Sequence, residues 1–378
     1  MVIPNEYIIC DKRTSKDFAK ETFCNYKLND VLSIFEKKMK ECKIEEACNW
    51  AIELLISGHI NKFWDKIFGL FVKYININNP QLPNIIYNRY AKFIIILKNT
   101  DNNTILIRNN QECRNLIVEV TFIICNSLKT KTIGFVTIKE NDYNLNLLQS
   151  RFISTNKDLV NDKIKYGDPE ETKIILNEFN YCLIHKKYEL CVYWLSWILN
   201  WEKINTKKNK NYICGYREIS NVESKYYTEL VWLIWEIIIK ETSKLNNENI
   251  NLSILSLFKL YKYDFKPGKK AKNNYYILYA IKYFTDSYIF NQKINNYHLL
   301  VQVCSNINFV FFDKNKYAIN NNKQIEKKMY INQKNNIQNN LENDAKKIEI
   351  KKLKQKAEDK MKLKISRVEE IDKIMMNK

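Results

Sequence analysis

The chain has 378 residues, with 61 Lys and Arg against 42 Asp and Glu, a net charge of +19 and a pI near 9.2. That length leaves room for two domains and an ample core, and the positive balance favours anionic partners. Six glycines and five prolines are too few for the frequent turns of sandwiches and barrels, and neither Gly-x-x-x-x-Gly-Lys nor Gly-x-Gly-x-x-Gly occurs, which disfavours an ATPase or a dinucleotide enzyme.

The expected class is all-α. Residues 1–27 are mixed and read as irregular or as a short helix. Asn29 and Asp30 precede a helix that runs from about Val31 to Cys42. A second helix carries Trp50 and closes at Ser57-Gly58-His59, where Gly58 can take a left-handed capping conformation. A third runs from about Ile60 to Ile75, with Phe63, Trp64, Ile67, Phe71 and Tyr74 at helical spacing, until Pro80 and Pro83 break it.

The string from Glu46 to Pro83, with Trp50, Glu53-Leu54-Leu55-Ile56-Ser57-Gly58-His59, Trp64 and Asn79-Pro80-Gln81-Leu82-Pro83, resembles a conserved helical protein family of nucleocytoplasmic large DNA viruses. In that family a similar tryptophan-rich string ending in Trp-Glu-Lys recurs later, here Trp194 to Lys203. The resemblance covers about 45–83 and 188–241 and implies a helical, viral protein without an assigned activity. More distantly, the same segment is similar to the helical collar of clamp-loader-like ATPases, whose ATPase module this chain lacks.

Helices are expected over 85–97 and 111–128. Glu119, among Val118, Val120, Phe122 and Ile123, reads as a carboxylate with a raised pKa, or as one that faces water or pairs with a base such as Arg114. Residues 129–168 are less periodic, and Ile133 to Ile138 reads as a short strand or an irregular crossing between halves. Asp168-Pro169-Glu170-Glu171 opens the next helix, with proline at its first position and acids in its first turn.

From Tyr188 to Glu202, Leu190, Trp194, Trp197 and Trp201 share one helical stripe, and Cys191, Leu195 and Ile198 form the adjoining one. So wide an apolar face predicts a central helix. Superposing Trp50 on Trp194 aligns Glu45 with Glu189, Ala47 with Cys191, Leu54 with Ile198 and Leu55 with Leu199. The match reads as two helical units of related design, or as two unrelated helices that share a tryptophan. Trp232 and Trp235, in a helix expected from about Asn221 to Lys244, could face the central helix. The expected structural core is therefore Trp50, Trp64, Trp194, Trp197, Trp201, Trp232 and Trp235, with indoles from distant parts meeting in one interior.

Two basic stretches follow. Lys203, Lys207, Lys208 and Lys210, with Arg217 beyond them, form one candidate anion-binding patch, and Lys269, Lys270 and Lys272 after Pro267 form another. A solvated loop is the plain alternative, because phosphate contacts need lysines clustered in space. A helix is expected over 251–261, and Tyr275, Tyr276, Tyr279, Ile281 and Phe284 form an aromatic face that packs a core or stacks bases. Tyr297 to Phe312 is apolar and completes the globular part.

The expected organisation is an N-terminal helical unit, 1–130; a connection, 131–168; a second helical unit, 169–312; a polar Asn/Lys-rich linker, 313–343; and a charged amphipathic helix, 344–378. In that last helix Ile350, Leu353, Ala357, Met361, Ile365, Val368, Ile371 and Met375 recur at helical spacing, suited to docking on a partner or self-association.

Catalytic patterns are scarce. His59, His185 and His298 stand far apart, no metal-ligand spacing appears, and no cofactor is expected. The ten cysteines lie mostly in apolar segments without Cys-x-x-Cys, as Cys48, Cys125, Cys182 and Cys191 do, which fits reduced thiols in an intracellular protein. The amino terminus does not read as a signal peptide, and the apolar run Val231 to Ile239 is too short for a membrane span. The leading expectation is a non-enzymatic scaffold or adaptor that binds an acidic protein partner. The alternatives are a nucleic-acid-binding accessory of viral replication or transcription, and an enzyme with an unrecognised site.

Overall fold

The computed structural model describes residues 7–130, 134–207, 214–263 and 265–286, together with 301, 303, 310–318, 320 and a few positions between 346 and 358. The chain divides into two compact units, 1–313 and 314–378. Every described position of the second unit is helical. The expected linker and most of the expected tail helix lie outside the described residues, as do most of 297–312.

The first half of the larger unit opens with a helical hairpin. Helix α1 (Leu28–Lys40) buries Leu28, Val31, Phe35 and Met39, and α2 (Ile44–Ile56) buries residues on nearly every face, including Glu53. Glu53 is satisfied there, accepting the backbone N–H of Cys24 at 2.7 Å. Gly58 ends α2 with φ of +70°, and the His59 N–H reaches back to the Leu54 carbonyl at 2.8 Å. This is the double-bonded left-handed cap expected of a glycine. Helix α3 (Ile60–Leu70) continues into a wider turn, Phe71–Ile75, and a tight one, Asn76–Asn78. Helix α4 (Leu82–Asn99) begins earlier than the sequence suggests, because Pro83 sits comfortably in its first turn. A short α5 (Thr104–Arg108) and α6 (Gln111–Asn126) follow, each capped by an asparagine side chain, Asn103 and Asn110.

The crossing contains no strand among the described residues; 134–139 is irregular, and the only α-helix is a single turn, α7 (Leu145–Leu148). Buried polar groups on the next helix hold it down. The Glu178 carboxylate accepts from the backbone of Ile153 and Ser154, and Asn177 bonds Leu159 and Asn156. That helix, α8 (Glu170–Ile184), starts with Pro169 at the cap position, one residue earlier in its role than expected. Asp168 does not cap it; its carboxylate is taken by Arg217 and by the backbone of Lys165 and Gly215. The second half then comprises α9 (Tyr188–Lys207), α10 (Val231–Ser243), α11 (Glu248–Lys262) and α12 (Lys270–Thr285). Helix α10 starts well after the expected Asn221, because 214–217 pairs its backbone with 227–228 and consumes the intervening chain in turns.

The two halves share a design. Hairpins α1–α2 and α8–α9 are joined by equally short connections, 41–43 and 185–187. In each the middle residue is left-handed, Cys42 at φ 58° and Lys186 at φ 56°. The following amide, Lys43 or Lys187, bonds back to Lys38 or Cys182 in the same pattern. Equivalent positions are buried: Val31 and Ile175, Phe35 and Phe179, Met39 and Leu183, Ala47 and Cys191, Ala51 and Leu195, Leu54 and Ile198. In each half the last helix, α6 or α12, packs back on both helices of its hairpin.

The tryptophans divide differently from the expectation. Trp64, Trp194, Trp197, Trp232 and Trp235 are buried, whereas Trp50 and Trp201 are only half-buried and Leu190 is exposed. The indoles of the two halves do not meet. Trp64 packs with Phe63, Phe68, Tyr90 and Phe93. Trp194 stacks on Phe152, and Trp197 packs on Tyr143 and donates to the Asp142 carbonyl at 2.5 Å. Trp232 and Trp235 face Phe258 and Tyr261 of α11 rather than α9. The wide face of α9 is covered by the crossing as well as by α8 and α12.

Candidate functional site

The candidate anion ligands fall into three groups. Arg217 is 1% exposed and fully engaged internally. Its guanidinium donates to Asp168 at 2.7 and 2.8 Å, to Glu236 at 2.7 Å, and to the carbonyls of Gly215 and Lys163 at 2.9 Å. Burial works against both charges, but the Arg217 hydrogen bonds prevail and hold the Asp168 carboxyl below its usual value. Lys270 is likewise internal, bridging Glu202 at 2.5 Å and Glu229 at 2.8 Å. Both residues are cross-links of the body and not receptors for an outside anion, a correction that sequence spacing could not supply. Lys203 is exposed on α9. The side chain of Lys207 and all of Lys208 and Lys210 lie outside the described residues.

Lys269 and Lys272 remain, and they stand in a cleft. It measures about 580 Å³ and lies where α3 and α4 of the first half face α11 and α12 of the second. Lysines and amides approach from the start of α12, while Trp64, Asp65 and Phe68 come from α3 and Tyr90 from α4. The sequence sends these groups there for simple reasons. On α3, Asp65 and Phe68 are three residues apart and share a side, while Ile60, Phe63 and Ile67 turn into the core. On α12, Lys272, Asn273 and Tyr276 share the cleft side, and the buried Leu278 and Ile281 anchor the helix from the other side.

The Lys272 ammonium donates to the Asp65 carbonyl at 3.0 Å and lies 4.0 Å from its carboxylate. Burial lowers its pKa first, Asp65 offsets part of this, and the nearby cations Lys269, Lys73 and Lys66 lower it further. A smaller groove shares Asp65, Gly69 and Lys272 and continues to Lys66 and Lys73. Lys66 is neutralised by Glu36 at 2.6 Å, and Lys73 lies over the Tyr275 ring at 4.5 Å.

The aromatic wall is a packed group. Trp64 and Phe68 each meet Tyr90 edge-on at 5.0 Å, and Tyr90 meets Tyr263 perpendicularly at 4.5 Å. Tyr263 is 39% exposed and Phe68 half-buried, so these two offer open ring surface. The Trp64 indole N–H is buried without a hydrogen-bond partner. Sequence periodicity assigned Trp64 to the core and left Tyr90, Tyr263 and Asp65 unmarked. The single signal that could have found the cleft was the lysine-rich turn beside an aromatic helix.

Elsewhere the chemistry is quiet. Glu119 forms a bidentate pair with Arg89 at 2.7 and 2.5 Å, not with Arg114, which is buried and donates to the carbonyls of Arg108 and Tyr7. His59 is buried against the Phe18 carbonyl at 2.8 Å, and burial lowers its pKa. His185 packs on Tyr181 at 4.2 Å, and His298 lies outside the described residues. Burial pushes the thiols of Cys113, Cys125 and Cys214 up to about 12. Among the described residues no group of three or more His, Cys, Asp or Glu could hold a metal ion, and no helix is long and apolar enough to cross a membrane. No protein-family model matches the chain, no curated protein matches its sequence, and no solved structure matches its fold.

Proposed function

We propose that this chain is a binding protein, an all-helical scaffold or adaptor whose two halves hold an anionic partner in the cleft between them. The observation that carries the reading is a cleft of about 580 Å³ whose lining holds Lys269 and the 42%-exposed Lys272, whereas Arg217 and Lys270 are bound to carboxylates inside the body. A cation kept partly out of water beside other cations gains when an anion arrives. The likeness of 45–83 and 188–241 to the large-DNA-virus family supports placing the protein in that setting.

Charge reversal tests the reading. The double variant Lys269→Glu/Lys272→Glu should lose anionic partners captured by the wild-type chain, read by affinity purification and mass spectrometry. Unchanged capture would remove the cleft from consideration. The nucleic-acid reading is favoured by the open rings of Phe68 and Tyr263 beside those lysines. It predicts DNA affinity that falls linearly with log salt, and negligible binding at physiological salt counts against it.

A further inference from the structure

We infer that the cleft takes one nucleoside-phosphate unit, its base against Phe68 and Tyr263 and its phosphate against Lys269 and Lys272. This rests on the reading of the cleft as an anion site and narrows it to a ligand class. Size is the first argument. A volume of about 580 Å³ lies within the range of about 300–1,000 Å³ for small-molecule sites, whereas a helix is about 10–12 Å across with its side chains.

Polarity is the second argument. The lysines belong to the start of α12, whose first turn contains no acid and whose cap position supplies no side-chain bond. The ammonium groups of Lys269 and Lys272 therefore put positive charge at that end, while the first amides there bond back into the preceding turn at Lys266 and Pro267. The opposite side is aromatic. Between them stands the Asp65 carboxylate, with the amides of Asn61 and Asn273 also in the lining. A ligand that is negative throughout, such as an acidic peptide, meets repulsion from Asp65. A ligand with an anionic end, a hydroxyl-bearing middle and a flat aromatic end does not, since sugar hydroxyls donate to a carboxylate.

The experiment is isothermal titration of the full chain with adenosine 5′-monophosphate, adenosine, inorganic phosphate, oligo-glutamate and a 5′-phosphorylated single-stranded oligonucleotide. The monophosphate should bind at least about ten-fold tighter than adenosine or phosphate alone. Lys272→Gln should weaken the monophosphate about ten-fold or more and leave adenosine unchanged, while Tyr263→Ala should weaken both. The side chain of Lys272 is 42% exposed and Tyr263 39% exposed, so both variants should keep wild-type helicity, checked by circular dichroism. Competition by the oligonucleotide would identify a strand end as the source, and its failure to compete a free nucleotide; either supports the pocket.

Monophosphate binding no tighter than phosphate, or insensitive to Lys272→Gln, overturns the inference. If oligo-glutamate binds in a Lys272-dependent way while the monophosphate does not, the ligand class is wrong and the scaffold reading survives. If no probe depends on Lys269 or Lys272, both fall.

Discussion

The hydroxyl of Tyr283, on α12, donates to the carbonyl of Pro80, the residue that turns the chain into α4. Tyr279, one turn earlier, does the same for Asn76, and its ring stacks on Tyr283 at 4.9 Å. Two phenols from the second half thus satisfy backbone carbonyls in the half-buried bend where the first half lacks regular helical bonds. Tyr283→Phe should cost about 1 kcal/mol in urea unfolding, a modest loss because the Pro80 carbonyl also accepts from Ser253 at 3.3 Å. A loss near zero would mean that the hydroxyl contributes nothing to joining the halves.

Asp168 and Arg217 give the body an acid-sensitive joint. The Asp168 carboxyl sits below its ordinary value, so its contribution is complete above about pH 4 and disappears as the pH falls through the folded pKa. Asp168→Asn should leave Arg217 buried beside Glu236 alone and destabilise by about 3–5 kcal/mol at neutral pH. Unfolding midpoints between pH 2 and 5 should also change less steeply with pH in the variant. An unaltered acid limb would show that other carboxylates control it.

Left-handed residues that are not glycine offer a test of opposite sign. Cys42 and Lys186 bear a side chain where the backbone penalises one by about 1–2 kcal/mol, part of which glycine returns as unfolded-state entropy. Lys186→Gly should therefore raise stability by up to about 1 kcal/mol in thermal or urea unfolding. Gly58→Ala should do the reverse and cost more than that, because a Cβ there would lie 2.9 Å from the Cβ of Ser15. Equal effects at the two sites would refute the shared cap geometry.

Glu178 fastens the crossing. Its carboxylate accepts from Ile153 and Ser154 at 2.9 and 3.1 Å and is buried on α8. Glu178→Ala should strand two amides and a cavity, costing about 2–4 kcal/mol, and should expose 140–155 to limited proteolysis before the helices unfold. Simultaneous cleavage throughout the chain would mean that the crossing is not an independent flap.

Helical periodicity recovered most of the architecture, since apolar stripes such as Val31, Phe35 and Met39 need only local spacing to be seen. Gly58 was legible for the same reason. The fate of a charged residue was not. Arg217 reads like a free cation until Asp168 and Glu236, distant in sequence, are brought to it. Lys270 differs from Lys272 only in the direction it points from α12, and two residues along a helix are about 100° per step apart. The cleft was invisible because its walls come from both halves, and Trp64 and Tyr90 obey the same pattern as any buried ring. The late start of α10 escaped because backbone pairing of 214–217 with 227–228 has no periodic signature.

The repeated hairpin has a consequence for how recognition could arise. Each half of the chain supplies only one wall of the cleft, α3 and α4 from the first and α11 and α12 from the second, so neither half encloses that space by itself. Isolated halves, however well they fold, should be blind to whatever the whole chain binds.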